Sequence, residues 1–192
     1  MATRVKSMDK RNALLKATLS LVNNNGFHDA PMSKIAKMAK VSPATIYIYF
    51  ENKQDLINQL YMEVKMAFTQ YAFKGYRPEM PVKKAFDHIW HNIADYKLKE
   101  VEEAWFLSQC DNTIMIDETS REEGLKQLQP LLDLWERGQK EGIIKKMSPY
   151  LLYAYTIYPL AFLMNNQKRG YYQLDDKSLE QALQAAWDSI RI

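Results

Sequence analysis

The chain is poor in the residues that cross-link or punctuate a fold. Among its 192 residues there is one cysteine, Cys110, which excludes an internal disulfide framework and a multi-cysteine zinc site. A reducing, cytoplasmic setting is the expectation. Six glycines and seven prolines are too few for the many turns of an all-β sandwich or barrel. No charge-free apolar run approaches the length that spans a bilayer, so no membrane partner is expected. The opening stretch MATRVKSMDKRNALL has no apolar core of the kind a secretory signal carries. What is present, 47% hydrophobic and 26% charged residues, excludes a disordered tail, a collagen-like fibre and a low-complexity linker.

Charge is unevenly placed. Residues 1–60 hold nine Lys/Arg against four Asp/Glu, whereas the remainder holds 17 against 19. A small basic head on a slightly acidic body implies an anionic partner for the head alone. A lysine-rich solvated surface is the bland alternative, because the excess is modest.

The apolar spacing is helical almost throughout. Leu14, Leu15, Thr18, Leu21 and Val22 share one helix face, and Asn24-Asn25-Gly26 supplies the stop. A short helix is predicted over about 31–39, with Met32, Ile35, Ala36 and Ala39 inward. Ser42-Pro43 then opens another, over 43–50. A long helix is expected over 53–73, with Leu56, Ile57, Leu60, Val64, Ala67, Phe68 and Tyr71 inside, ended by Gly75, Pro78 and Pro81. Further helices read at about 82–98, 100–110, 120–140, 149–168 and 176–190. Ser120 and Glu123 have capping-box spacing. The total is about nine helices, an all-α protein.

Residues 31–50, PMSKIAKMAKVSPATIYIYF, place two short helices around a tight turn at Lys40-Val41-Ser42. That is a helix-turn-helix arrangement, whose second helix enters the DNA major groove. At 100° per residue, Ile46 and Phe50 face the core with Val41, and Ala44 and Ile48 face out. Thr45 and Tyr49 flank the outward face on one side and Tyr47 on the other. The second helix has no Arg, Asn or Gln, the side chains that make most bidentate base contacts. Specificity is therefore expected to lean on methyl contact and DNA shape. An N-terminal arm of Arg4, Lys6, Lys10 and Arg11 is a candidate for groove or phosphate contact. A solubilising tail is the alternative for residues 1–6.

From Gly26-Phe27 through Ile35-Ala36, Ala39, Val41-Ser42, Thr45-Ile46-Tyr47, Tyr49-Phe50, Asn52-Lys53 and Leu56, the chain resembles the DNA-binding head of the TetR-type (tetracycline-repressor-like) transcriptional regulators. The resemblance covers about residues 8–62. It implies a DNA-binding head at 1–52, and a ligand-binding and dimerisation body at 53–192. It also implies a homodimer, a palindromic double-stranded operator and a small-molecule effector. Carried over position by position, DNA contacts fall to Met32, Ser33, Pro43, Ala44, Thr45, Tyr47, Ile48, Tyr49 and Lys53. Two departures stand out. Ala30 occupies a position where the family often has a Thr or Ser cap, leaving Asp29 as a substitute. Lys40 stands where the family usually has glycine, and a lysine held at φ > 0 costs about 1 kcal/mol.

In the body, Leu151 to Met164 (LLYAYTIYPLAFLM) is apolar on every face, so it must be buried on both flanks or against a partner chain. With the last helix it would build a four-helix bundle in a two-fold dimer. The expected interface is Leu152, Tyr155, Leu163, Leu179, Leu183, Ala186, Trp187 and Ile190. Pro159 predicts a kink that frees the Tyr155 carbonyl. Phe86, Trp90, Tyr96, Trp105, Phe106, Cys110, Met115, Trp135 and Tyr158 are candidates for a pocket holding a small hydrophobic effector, against the plainer reading of ordinary core.

His88 and His91, with Asp87 and Asp95 nearby, have a spacing that can hold a metal, but no third ligand is assured and neither metal nor cofactor is expected. No Gly-rich phosphate loop, nucleophile elbow or framed carboxylate pair is present, so catalysis is not expected. Two rival readings stay open on the residues alone: an all-α small-molecule binder or enzyme without DNA binding, and a module whose head docks protein.

Overall fold

The computed structural model describes the backbone of residues 2–192 and the side chains of residues 8–111 and 113–192. Arg4 and Lys6 of the expected arm lie outside the described side chains. The helices are α1 (Ala2–Asn25), α2 (Met32–Met38), α3 (Pro43–Tyr49), α4 (Lys53–Ala72), α5 (Val82–Lys99), α6 (Val101–Asn112), α7 (Glu118–Lys126), α8 (Gln129–Lys140), α9 (Pro149–Thr156), α10 (Tyr158–Lys168) and α11 (Asp176–Ile190). The described residues form no strand beyond an isolated bridge between Ile144 and Arg191.

Among the described residues, eleven helices replace the expected nine because two long stretches break at prolines. The predicted 120–140 helix is α7 and α8, and Pro130 stands in the first turn of α8. With no N–H, it starts a helix more readily than it continues one. The predicted 149–168 helix parts at Ile157, and Pro159 stands in the first turn of α10. The break turns the Leu160 N–H to the Ile157 carbonyl at 3.2 Å. The Thr156 carbonyl is released, and the buried Trp90 indole N–H donates to it at 3.0 Å. The cap of α7 is also not the expected Ser120: Asp117 accepts from the Ser120 N–H at 2.8 Å, so the helix starts earlier. That bond holds the Asp117 carboxyl below its ordinary pKa.

The chain divides into two compact units. The first unit is residues 1–65 with 102–124, and the second is 66–101 with 125–192. In the first, α1, α2 and α3 pack on one another around Leu14, Val22, Ile35, Ala36, Ile46 and Phe50. The start of α4 joins this unit because Leu56, Ile57 and Leu60 are buried and Gln54 donates to the Met115 carbonyl at 2.7 Å. Asn23 on α1 donates to the Glu102 carbonyl at 2.8 Å and accepts from Gln109 at 3.0 Å, holding α6. In the second unit, α5 packs with α8, α10 and α11. Its core includes Phe86, Ile89, Trp90, Ile93, Leu134 and Trp135. Ala67, expected inside, is exposed.

Gly26 closes α1 at φ +82°, as its place after two asparagines predicts. Lys40 closes α2 at φ +56°, in the left-handed region where its Cβ crowds the backbone. The turn keeps that conformation because the Val41 N–H donates to the Ala36 carbonyl at 3.0 Å, satisfying the helix end. Lys40→Gly relieves about 1–2 kcal/mol of left-handed strain and returns about 0.4–1 kcal/mol of unfolded-chain freedom. The net expectation is a gain of about 1 kcal/mol, read as a higher urea midpoint with an unchanged slope. A lower midpoint contradicts it.

Candidate nucleic-acid interface

The two short helices owe their placement to a few local contacts. Ser42 caps α3: its Oγ accepts the Thr45 N–H at 3.2 Å and lies 2.8 Å from Thr45 Oγ1. Pro43 occupies the first helical turn, where its missing N–H costs nothing. Ile46 is wholly buried and Phe50 nearly so. These two side chains turn the rest of α3 outward. Ala44 is exposed, Tyr47 is 59% exposed and Ile48 is 76% exposed, while Thr45 and Tyr49 are half-buried. On α2, Ile35 and Ala36 face the core, Ser33 is exposed and Met32 is half-buried. No side chain caps α2: Pro31 takes the cap position, and Asp29 does not substitute.

Two cations expected at the surface have other tasks. Lys53 Nζ donates to the Phe27 carbonyl, approaches the His28 carbonyl at 3.4 Å, and sits 4.3 Å from the centre of the Phe27 ring. Partial burial lowers its pKa, opposed by Asp29. It ties the start of α4 to the α1–α2 loop. Arg11 pairs with Glu63, donates to Gln59 at 2.8 Å and lies over the Phe50 ring. Of the expected arm, Lys10 is left exposed among the described side chains. Conversely, Lys34, Lys37 and Lys40 were not among the expected DNA contacts, yet all three are exposed on α2 and its turn. The only hint of them was the basic excess of the head.

The resulting surface is a short helix with small and apolar side chains outward, packed against a helix that carries exposed lysines. The family model for bacterial regulatory proteins of the tetR family matches residues 14–60. The tetracyclin repressor-like C-terminal domain matches residues 81–191. The chain belongs to the TetR family.

Its TetR relatives include an uncharacterized HTH-type transcriptional regulator of Haemophilus influenzae, 24% identical, with 98% of this chain and 99% of that one aligned. A crystal structure of a TetR family transcription regulator from Marinobacter aquaeolei superposes with a TM-score of 0.90 at 26% identity, covering 100% of this chain and 99% of that one. The fatty acid metabolism regulator protein of Bacillus subtilis is 42% identical over 50 residues, 26% of each chain. The protein is thus a helix-turn-helix transcriptional regulator of the TetR type.

The other expected sites of this TetR chain are not single clusters. Among the pocket candidates, Trp105, Phe106, Cys110 and Met115 fall in the first unit, and Phe86, Trp90, Tyr96, Trp135 and Tyr158 in the second. Phe86 packs on Trp187 with centroids 5.3 Å apart, and Tyr96 on Phe68 at 5.4 Å. Trp90 is spent on the Thr156 carbonyl, and Tyr158 is exposed. Burial pushes the Cys110 thiol well up, so it is an apolar filler and not a reactive thiolate. Trp135 is buried, and its indole N–H finds no acceptor.

Of the expected interface, Leu152, Leu183, Ala186, Trp187 and Ile190 are buried inside the protomer, covered by the chain's own helices. Tyr155 is exposed, and Leu163 and Leu179 are half-buried. His88 Nε2 lies 2.7 Å from the Lys74 carbonyl and His91 Nδ1 2.8 Å from the Asp87 carbonyl. Among the described residues no group of three His, Cys, Asp or Glu is placed to hold a metal, and no helix is long and apolar enough to cross a membrane.

If Lys34 and Lys37 meet phosphates, each change to Ala removes about one counterion from the salt dependence of binding and weakens all DNA sequences about equally. Measuring affinity against salt concentration checks this. An unchanged slope contradicts it.

Proposed function

We propose that the chain is a transcriptional repressor that binds a palindromic operator as a homodimer and is released by a small hydrophobic effector. It works in the cytoplasm and carries out no catalysis. The observation that carries this reading is the outward face of α3, with Ala44, Tyr47 and Ile48 exposed, next to a helix α2 whose Lys34 and Lys37, with Lys40 at its turn, are exposed too. Residues 1–52 meet the DNA, and residues 53–192 hold the effector and the partner. Ser33, Pro43, Ala44, Thr45, Tyr47, Ile48 and Tyr49 supply groove and backbone contacts, with Met32 beside them.

A palindrome needs two heads about one helical turn apart, roughly 34 Å, which a two-fold dimer supplies. Leu151, Tyr155, Tyr158 and Phe162 form a stripe at helical spacing along α9 and α10, and each is 45% exposed or more. An apolar stripe of that size on a monomer is a partner surface. The second copy covers it, with Leu163 and Leu179 at its edge.

The effector lodges among the aromatic side chains of the helical body. The unpartnered, buried Trp135 N–H supports an effector with a hydrogen-bond acceptor, since a buried donor without one is costly. Helix α4 contributes residues to both units. Release then follows from differential affinity of effector and operator for two states of the dimer.

Sedimentation of the full chain, with selection of bound fragments from random duplex DNA, tests the proposal. The wild type is expected to sediment as a dimer and to select a palindrome. Phe162→Asp is expected to yield a folded monomer with operator affinity lower by about a hundred-fold, as two linked heads become one. A monomeric wild type, or a dimer unmoved by Phe162→Asp, contradicts it.

A further inference from the structure

We infer that α3 reads thymine methyl groups, with Ile48 and Ala44 as the reading atoms. The inference rests on the DNA-binding reading above and names what that surface recognises. In the major groove each base pair shows a distinct set of donors, acceptors and, for thymine, a C5 methyl. A helix can use only what it exposes. On α3 the polar inventory is almost spent internally. The Ser42 and Thr45 hydroxyls lie 2.8 Å apart, and Ser42 Oγ also holds the Thr45 N–H. Pro43 has no N–H to give. Thr45 and Tyr49 are half-buried.

What remains fully outward is Pro43, Ala44, Tyr47 and Ile48, and among these the Tyr47 hydroxyl is the sole side-chain hydrogen-bonding group. Ile48 is 76% exposed on a helix whose register is held by a wholly buried Ile46. An isoleucine in water at that position gains nothing for the fold. Against a thymine methyl it loses its hydration and gains contact.

The occupant is duplex DNA and not an apolar peptide, because Lys34, Lys37 and Lys40 are exposed on α2 and its turn, the element that packs against α3. Phosphates position the duplex, and the aliphatic tips then discriminate. The operator half-site therefore carries A·T pairs, with their methyls toward α3, where regulators with Arg or Gln at these positions would require guanine or adenine.

The test uses the full-length protein and a palindromic duplex selected by it from random DNA. Each thymine of the half-site is replaced in turn by deoxyuridine, which removes the methyl and leaves the pairing edge intact. The expected result is about four-fold weaker binding for each methyl read, and little change elsewhere. In Ile48→Ala the thymine-over-uracil preference at one position per half-site disappears. That side chain is solvent-facing, so the fold stands without it. Equal affinity for thymine and uracil duplexes, with sequence-specific binding intact, overturns the methyl reading and leaves the DNA-binding reading in place. Essential guanines under α3 overturn it in the same way. Absence of any sequence-specific binding overturns both.

Discussion

A helix of seven residues does not hold together in water, because too few hydrogen bonds repay its nucleation. Helix α3 exists because Ile46 and Phe50 are buried against α1 and α2 and because Ser42 caps its start. That burial is the constraint on which the rest depends. It decides the existence of the helix and its rotation about its own axis together. With Ile46 inward, Ala44 and Ile48 have no choice but to face out. Arg11 and Lys53, spent on Glu63 and on the Phe27 carbonyl, brace the same core from α1 and α4. In the proposed DNA-binding reading, phosphate contact falls first to the exposed lysines of α2 and its turn.

Helical periodicity made most of the fold legible. Leu14, Leu15, Thr18, Leu21 and Val22 are all buried, as their spacing implies. Ser42-Pro43 marked the start of α3 to the residue. The left-handed Lys40 was legible only through the resemblance, which places it where the family usually has glycine. Boundaries that hinge on proline were harder. Pro130 and Pro159 each permit a kinked helix or a restarted one, and only packing decides between them. For Pro159 the deciding partner is Trp90, distant in sequence, which takes the carbonyl that the break releases.

Spacing also shows which residues share a face, without showing what covers it. Leu183, Ala186, Trp187 and Ile190 make an apolar stripe that fits a dimer seam or a protomer core equally well. Here Phe86 meets Trp187, and the stripe belongs to the protomer. The α9–α10 segment is apolar all round for two reasons. Leu152 and Leu160 serve its own core, while Leu151, Tyr155, Tyr158 and Phe162 are left outside. The aromatic residues expected around one pocket fall in two units because their helices alternate between them along the chain. Cation roles were the least legible, since the partners of Arg11 and Lys53 lie dozens of residues away in sequence.

The most direct measurement of the central claim is methyl NMR of the full chain labelled at isoleucine δ1, titrated with its selected operator. Ile48 faces solvent, whereas Ile35, Ile46 and Ile57 are buried in the same unit. The account predicts a large shift at Ile48, with contacts from its methyl to thymine methyls of the duplex, and small shifts at the buried three. An unmoved Ile48 in a saturated complex would contradict it.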